Sequence, residues 1–592
     1  MADAELKMKA AMELCGPGGA FEMGPAKVFG VDYPGTFKNG PHSMVEWLAQ
    51  VLTPERAALK CIVFEDEVMT FAEVQKAVDT LASALANHYG VKKGDRVAIC
   101  MRNFPEWCVA FLAGHRIGAV LVPMNSWWKE GEMEYGLSDS GTKVLFVDRE
   151  RLAQSVGPAK KLNVQLVAVR VSDADVKKAQ QVASGLVTPY ADVMAAGATA
   201  APPPMPEIAT DDDANIMYTS GTTGNPKGVI QTHRGITTQL RISSLSGAIG
   251  LKVATAKGLF KPGMAMPQPG AIVAVPLFHV TGLYHLFLTA LNGGGKCILM
   301  AKWDAGRALE LIERERPTGW TGVPTMVADM MAHPDFAKRD TSSLMSVGGG
   351  GAATPTSQVK EASKKFSGQV SQGWGLTETN GALAINVGED YLRKPGSTGK
   401  CFPTVEMLTI DVDSKKPLPI GAEGGELVCK TPLNMRGYWN KAEASAAALI
   451  EVPGKGPGWF RTGDVGIIDE EGFITITGRA KDIIIRGGEN ISCVEVEEAF
   501  FATGEVFEAA AFSVPDERLG EVVGLAVMVK EGSSATSADL VAKVVASKKL
   551  ADYKTPKPQH VFVQRDPLTR GATGKILRRE IKEACLKPKS KL

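Results

Sequence analysis

The stretch that decides the fold is Tyr218-Thr-Ser-Gly-Thr-Thr-Gly-Asn-Pro-Lys-Gly-Val229. Its twelve residues carry four serine and threonine hydroxyls, the glycines Gly221 and Gly224, and the ammonium of Lys227. Hydroxyls, free backbone N–H groups and a cation all bind phosphate oxygens, so the stretch predicts a loop that wraps a polyphosphate. It is not a Walker A loop, because Gly228 rather than serine or threonine follows the lysine. A P-loop ATPase therefore loses its main support.

Four further motifs follow this loop in order along the chain. They are Gln372-Gly-Trp-Gly-Leu-Thr-Glu-Thr379, Trp459-Phe-Arg-Thr-Gly-Asp464, Gly478-Arg-Ala-Lys-Asp482 and Pro567-Leu-Thr-Arg-Gly-Ala-Thr-Gly-Lys575. With the phosphate loop, they resemble the adenylate-forming (ANL) superfamily, which comprises acyl- and aryl-CoA synthetases, adenylation domains of peptide synthetases, and luciferases. Five motifs in a fixed order, spread over residues 218–579, are far more specific than one Gly-rich loop.

The resemblance implies an ATP site served by a catalytic lysine. Lys575 would bridge the attacking carboxylate and the α-phosphate, while Glu378 and Thr222 would bind Mg²⁺. Asp464 would accept hydrogen bonds from the ribose hydroxyls, as a carboxylate can, and Arg479 would contact ribose or phosphate. The other positions implied for ATP or AMP are Thr219, Ser220, Gly221, Thr222, Thr223, Gly224, Lys227, Gly349, Gly350, Gly351, Ala352, Gln372, Gly373, Trp374, Gly375 and Thr377.

One of these positions departs from the family pattern. Trp374 stands where the family usually has a tyrosine that faces adenine. An indole keeps a flat π-face for stacking. We therefore expect the exchange to lose only the tyrosine hydroxyl.

The second half-reaction needs a thiol, which would displace AMP from the acyl-adenylate. In the family a small domain swings between two poses, and Lys481 matches its hinge. Gly487, Gly488 and Glu489 resemble a segment that lines the thiol tunnel, where glycines let a pantetheine arm pass close to backbone. His279, in Phe-His-Val, matches a position between the acyl and pantetheine pockets, and this variant resembles fatty-acyl-CoA synthetases. Without the motifs, it would read as a core histidine near a strand end.

The N-terminal part alternates between helix and strand signals. Thr70-Phe-Ala-Glu73 is a capping box that opens a helix running to Tyr89, and Pro105 opens a second helix. The apolar runs suited to buried parallel strands are Arg96–Met101, Ala119–Pro123 and Lys143–Val147. This alternation predicts an α/β sheet architecture.

The resemblance divides the chain into three parts. A large N-terminal α/β domain with several subdomains is expected over residues 1–478, a hinge over 479–482, and a small mobile α+β domain over 483–592. Ile483–Ile485 and Leu525–Val529 are the expected strands of the small domain. Two breaker-rich stretches, Ala195–Pro206 and Lys252–Gly270, are predicted to be loops.

The composition bounds the function. Of 592 residues, 44% are hydrophobic and 22% are charged, as in a globular enzyme. The formal net charge is only +1, so nothing global attracts nucleic acid or an anionic membrane. Nine cysteines without a Cys-x-x-Cys pair are typical of a reducing compartment. The partners should be small molecules.

Targeting signals lie at one end of the chain only. The N-terminus lacks an apolar signal region, and no uncharged run reaches the ~18 residues of a transmembrane helix. The chain closes on Ser590-Lys591-Leu592, the tripeptide of a peroxisomal address. It predicts recognition by a peroxisomal import receptor; without that address the chain would be cytoplasmic.

The expected activity is that of an ATP-dependent acid:CoA ligase, working as a monomer or homodimer. It would convert a carboxylic acid, expected to be a fatty acid, and CoA into acyl-CoA, AMP and pyrophosphate through an acyl-adenylate. Three alternatives stay open: a 4-coumarate–CoA-ligase-like aryl or oxylipin ligase, a luciferase-like oxygenase, and a catalytically silent protein that binds nucleotide or acyl-adenylate. A peptide-synthetase module is disfavoured because no carrier domain follows Leu592.

Overall fold

The computed structural model describes residues 2–219, 225–261, 263, 266–352, 354–479, 482–487 and 489–587. Within these ranges the strands form five sheets. Two large, mostly parallel sheets share one hydrophobic core, in which Trp107 and Trp320 are fully buried. The α/β architecture predicted from the sequence is confirmed.

The first large sheet has eight strands and carries the phosphate motif. In spatial order they are Gly437–Tyr438, Lys227–Thr232, Asp213–Thr219, Val120–Pro123, Arg96–Cys100, Thr142–Asp148, Gln165–Val169 and Val187–Pro189. The last six run parallel, as the apolar runs predicted. The first three are antiparallel neighbours, so the phosphate motif forms a hairpin at one edge.

The second large sheet has nine strands and carries the adenine motif. In order they are Lys400–Cys401, Gly381–Val387, Gln369–Leu376, Ser346–Gly350, Gly319–Gly322, Gly270–Val273, Lys296–Leu299, Lys60–Phe64 and Glu67–Thr70. Its central strands are parallel. Parallel neighbours end at the same edge, which brings Gly349 beside Gln372 and Gly350 beside Gly373.

The other sheets are antiparallel for most of their length. A two-stranded sheet pairs Met23–Val28 with Val31–Phe37. A five-stranded sheet is made of Glu406–Ile410, Glu426–Lys430, Gly456–Ile468, Leu449–Val452 and Ile474–Arg479. The last sheet is made of Glu489–Ile491, Ile484–Arg486, Gly520–Val529, Val506–Asp516 and Val561–Gln564. It contains the two expected small-domain strands, the first displaced by one residue.

Helices cover the large sheets. The α-helices are Ala2–Cys15, Met44–Val51, Phe71–Ser83, Pro105–Arg116, Glu130–Ser140, Arg149–Leu162, Asp173–Val182, Tyr190–Gly197, His233–Ala256, Thr289–Asn292, Ala305–Glu315, Pro324–Ala332, Thr356–Lys365, Glu389–Arg393, Ala442–Ala448, Cys493–Phe501, Ser537–Ser547 and Arg578–Leu586. Thr70 caps its helix with the expected box, in which Glu73 returns the hydrogen bond. Wider π-helical turns occur at Ala84–His88 and Thr281–Leu288.

Both predicted loops begin too early. The stretch Ala195–Pro206 starts inside the helix Tyr190–Gly197, because alanine is the strongest helix former and prolongs it. Similarly, Lys252–Gly270 starts inside the helix His233–Ala256. Each residue added to an existing helix gains a backbone hydrogen bond without a new nucleation cost. This helix therefore continues to Ala256, shortly before Gly258 takes a left-handed φ of +71°. The boundaries at 478 and 483 remain predictions.

The described residues contain neither a membrane-spanning helix nor a disulfide bond. None of the helices in those ranges has the length and apolarity needed to cross a membrane. All nine cysteines are free thiols, and six of them are buried. Burial raises the pKa of the Cys493 thiol to about 12, so it is protonated and unreactive at neutral pH.

Candidate active site

The phosphate hairpin pairs Asp213–Thr219 with Lys227–Thr232. Its last described pair is Thr219 opposite Lys227, and the Thr219 hydroxyl lies 3.5 Å from the Lys227 carbonyl oxygen that accepts from it. The predicted phosphate ligands Ser220, Gly221, Thr222, Thr223 and Gly224 lie outside the described residues. Lys227 therefore stands at the start of the strand that follows these residues.

Tyr438 joins the phosphate hairpin to the adenine motif. It lies on the two-residue strand beside Lys227–Thr232, opposite Val229. Its hydroxyl donates to Glu378 Oε1 at 2.9 Å, and Lys227 Nζ lies 4.6 Å from its ring centre. Sequence reasoning missed Tyr438, because only pairing across some two hundred residues brings it here. A tyrosine and a tryptophan directly after Gly437 were the only local signal.

Glu378 sits on a single helical turn, Thr377–Thr379, that follows the adenine strand. Burial raises the pKa of Glu378, while the backbone, the Tyr438 hydroxyl, and the charges of Arg479 and Lys227 act against that rise. Burial also raises the pKa of Tyr438, helped by the nearby carboxylate, so Tyr438 stays a neutral donor. The site therefore holds one half-buried carboxylate oriented by a phenol.

We expect Tyr438→Phe to lower kcat/KM for ATP in pyrophosphate exchange roughly tenfold, the effect of one hydrogen bond to a charged group. Tyr438→Leu should lower it further, because it also removes the ring beside Lys227. Tyr89→Phe makes the same chemical change outside the site and is the control. Equal rates for wild type and Tyr438→Phe would show that the Glu378 contact is not used.

A wall of backbone faces the end of the adenine motif. A side chain at Gly349 would place its Cβ 2.7 Å from Gln372 Oε1, and one at Gly375 would come within 1.9 Å of the Gly381 carbonyl oxygen. The Gln372 amide is itself fixed, since it accepts from Thr354 Oγ1 at 2.6 Å and donates to the Ala352 carbonyl at 3.0 Å. Gly350 and Gly351 continue the same edge. The predicted small-residue positions are thus brought together.

The ribose motif meets the adenine motif at Asp464. Trp374 Nε1 donates to Asp464 Oδ2 at 2.8 Å, and Arg479 Nε lies 3.1 Å from Asp464 Oδ1. Asp464 is only 5% exposed. The expectation that tryptophan merely loses the tyrosine hydroxyl was wrong, because the indole adds an N–H donor that reaches the carboxylate.

The Lys575 loop is held against the large domain. Gly571 N–H donates to the Lys575 carbonyl at 2.8 Å, and Gly574 takes a φ of +79° in the same turn. Thr325 Oγ1 donates to the Gly574 carbonyl at 3.4 Å. At the start of the loop, Arg570 contacts the buried Glu508 and approaches Asp329 to 3.7 Å.

The charge of Lys575 acts on the ribose corner. The Lys575 side chain keeps some contact with solvent. Desolvation by the surrounding protein first, and then the charge of Arg479, lower its pKa to about 8, while the charge of Asp464 acts against this fall. The charge of Lys575 also adds to the effect of burial in lowering the pKa of His279 to about 3. His279 is therefore neutral at working pH. Asp464, Arg479 and His279 thus lie within electrostatic range of Lys575, and we call the space between these four residues the cleft.

Two of the predicted thiol-tunnel residues lie in the small-domain sheet. Gly487 and Glu489 belong to a hairpin of the small-domain sheet, where Gly487 N–H donates to the Leu519 carbonyl at 2.8 Å. Within the described ranges, no hydrogen bond joins this hairpin to the Lys575 loop. Gly488 and the hinge residue Lys481 lie outside the described residues.

A cavity of about 240 Å³ opens where the Lys575 loop meets the large domain. Arg102, Lys302 and Arg570 supply cations to its wall, and Trp127 and Trp303 supply indoles. Among the described residues, no group of three or more His, Cys, Asp or Glu side chains is arranged to hold a metal ion.

Comparison with known proteins agrees with this architecture. Residues 48–439 match the AMP-binding enzyme family and residues 495–575 match the AMP-binding enzyme C-terminal domain. A long-chain-fatty-acid–CoA ligase of Mycobacterium tuberculosis is 33% identical over 524 residues, 88% of this chain and 93% of that protein. A feruloyl-CoA synthase of Amycolatopsis is 34% identical over 516 residues, covering 87% and 93%.

A solved structure shares the whole fold. ATP-bound MatB from Rhodopseudomonas palustris superposes with a TM-score of 0.76 at 27% identity, covering 91% of this chain and 98% of that one. The first family match contains the phosphate and adenine motifs, and the second contains the lysine motif. The chain therefore belongs to the AMP-binding enzyme family of the adenylate-forming superfamily, among the AMP-forming acid–CoA ligases.

Proposed function

We propose that this acid:CoA ligase activates a fatty acid, through an acyl-adenylate in the cleft where Lys575 meets Asp464 and Arg479. That meeting is the observation that carries the proposal. Lys575 comes from the small domain and its pKa responds to both other charges. The α-phosphate of ATP is attached to the ribose, so a cation beside the ribose-binding residues would lie next to that phosphate.

In the first step an oxygen of the fatty carboxylate attacks the α-phosphorus, and the bond to pyrophosphate breaks. Two anions must approach each other, so the main barrier is charge repulsion. The ammonium of Lys575 would stabilise the charge that develops between carboxylate and α-phosphate. Lys227 would hold the leaving phosphates, and Asp464 would orient the ribose. The backbone wall of Gly349–Gly351 lets adenine lie close to the chain.

Glu378 fits Mg²⁺, which binds proteins through one or two carboxylates plus substrate phosphates. Its carboxylate is oriented by Tyr438, and the charge of Lys227 acts on it. The ion would neutralise phosphate charge when bound. Thr222, the second predicted ligand, lies outside the described residues.

In the second step the CoA thiol attacks the acyl carbonyl carbon, and AMP leaves. The pose described here presents Lys575, so the thiol step would require the small domain to turn and bring Gly487–Glu489 to the cleft. The cations and indoles of the interdomain cavity suit the phosphates and adenine of CoA. His279, neutral in the cleft, would line the path between acyl group and thiol.

Identification of the acid needs a direct assay. Saturated fatty acids, cinnamic acids and dicarboxylic acids would be compared by CoA-dependent AMP release with ATP and Mg²⁺. We expect the highest kcat/KM for a fatty acid, since Phe278 and His279 carry the fatty-acyl variant of the motif. A preference for cinnamic acids would favour the aryl ligase, as the similarity to feruloyl-CoA synthase allows. Light emission in the same wells would favour the luciferase alternative.

We further propose that the chain is delivered to peroxisomes through Ser590-Lys591-Leu592, which lies outside the described residues. Cells expressing the full chain with an N-terminal fluorescent tag should show peroxisomal fluorescence. Deleting Leu592 should make that fluorescence cytosolic, because the address is read at the chain end. Peroxisomal fluorescence after the deletion would refute the address.

A further inference from the structure

Trp374 contacts Asp464 through an indole N–H, a group that the tyrosine usual at this position in the family lacks. It lies on the strand Gln369–Leu376, opposite Ala384, and the register of this strand pair shifts immediately after it. Its Nε1 donates to Asp464 Oδ2 at 2.8 Å. Asp464 belongs to a different sheet, so the bond ties the adenine strand to the ribose strand.

The two partners of Asp464 differ in how firmly they are held. Trp374 packs among Leu383, Phe460 and other core residues, so its indole is fixed by packing. Arg479, the other partner, has a side chain that is 54% exposed, and it stands at the edge of the predicted hinge 479–482. The Asp464 N–H is meanwhile bonded to Thr462 Oγ1 at 3.1 Å. One oxygen of the carboxylate thus has an immobile donor and the other a partner beside the hinge.

We propose that Trp374 is a positioning residue for the ribose of ATP, which acts through Asp464 in addition to any stacking on adenine. A carboxylate rotated about its last bond would present its lone pairs to the ribose hydroxyls at variable angles. The indole N–H occupies one lone-pair site of Oδ2 and so fixes the plane of the group. The remaining lone pairs then point at the hydroxyls even when Arg479 moves with the hinge.

This inference rests on the proposed ATP site, and its test separates the two. Equilibrium binding would be measured by calorimetry for ATP and for 2′,3′-dideoxy-ATP, with wild type, Trp374→Phe and Trp374→Leu, in the absence of acid and CoA. Both variants lose the donor, and Trp374→Phe keeps an aromatic face. We expect Trp374→Phe to weaken ATP binding roughly tenfold, the effect of one hydrogen bond to a charged group, and dideoxy-ATP binding less than threefold. Trp374→Leu should weaken the binding of both nucleotides through lost stacking, and that of ATP roughly tenfold more than that of dideoxy-ATP.

A second arm tests the route through Asp464. In an Asp464→Asn background, Trp374→Phe should weaken ATP binding less than threefold, because the two residues act as one unit. Equal weakening for ATP and dideoxy-ATP would overturn the proposal and assign Trp374 to adenine alone. Far-ultraviolet circular dichroism and unfolding midpoints would identify a misfolded variant, in which case Trp374→Leu carries the test. Wild type that binds neither nucleotide would instead refute the proposed ATP site.

Discussion

Lys575→Ala is expected to abolish pyrophosphate formation while thioester formation from supplied acyl-AMP stays near the wild-type rate. The ammonium is the small domain's contribution to the cleft that contains Asp464 and Arg479. Without it, two anions meet with less compensating charge, and the rate of the first half-reaction should fall roughly a thousandfold. Coupled pyrophosphate release and CoA consumption would measure the two halves separately. An equal loss in both would contradict the division of labour between two poses.

The pH profile gives the same lysine a second signature. Because the pKa of Lys575 is lowered to about 8, its charge in the free enzyme is present below that pH and lost as the pH rises through it. The kcat/KM of adenylation should therefore fall above about pH 8. Lys575→Arg keeps its charge over that range, so whatever activity it retains should not show this fall. A fall shared by both proteins would assign the titration to another group.

Gly375→Ala is expected to lower the free energy of unfolding by about 3 kcal/mol, the upper range for overpacking, and to weaken ATP binding more than tenfold. The new Cβ would stand 1.9 Å from the Gly381 carbonyl oxygen and 2.6 Å from the Ala382 Cα, which are backbone atoms of the neighbouring strand. The strands would have to separate at the point where Trp374 and Glu378 are positioned. Denaturant unfolding and calorimetry with ATP would measure the two effects.

Gly373→Ala is the matched control, two residues earlier on the same strand. A Cβ at Gly373 would meet nothing within 4 Å, so the free energy of unfolding should stay within about 0.5 kcal/mol of wild type. Any loss of ATP binding in this variant would report on the space beside the strand rather than on its packing. Similar unfolding free energies for the two alanine variants would contradict the steric argument.

Local chemistry was predictable from the sequence, and distant pairing was not. The Thr70 cap and the Pro105 helix start depend on residues within one turn, and both were predicted correctly. The predicted loop start at Lys252 was wrong, because the helix continues to Ala256. Extending an existing helix by one turn costs little free energy, so the local sequence does not determine where it ends. The ordered motifs gave the superfamily, since each motif is contiguous. How Lys575 is held was not readable, because it depends on contacts such as the one between Thr325 and Gly574.

The candidate site shows the same division. The motifs predict Gly349, Gln372, Asp464 and Arg479 as site residues, and the structure pairs Gly349 with Gln372 and Asp464 with Arg479 on adjacent strands. The bonds that orient them were not named. The sequence predicts a stacking ring at Trp374. It does not predict the hydrogen bond from its N–H to Asp464, because that acceptor lies ninety residues away along the chain. Tyr438 belongs to no motif that was recognised, since it acts through an edge strand of two residues.

That edge strand also bears on how the chain is made. Gly437–Tyr438 closes the outer side of the phosphate hairpin, yet it is synthesised some two hundred residues after Lys227–Thr232. A growing chain on the ribosome would present an unpaired hairpin edge for that whole interval, and such edges pair readily with other chains. The nucleotide site is therefore among the last parts of the large domain to be completed. A nascent chain that stops before residue 437 would expose an unpaired, aggregation-prone strand edge and would lack the Tyr438 hydroxyl that orients Glu378.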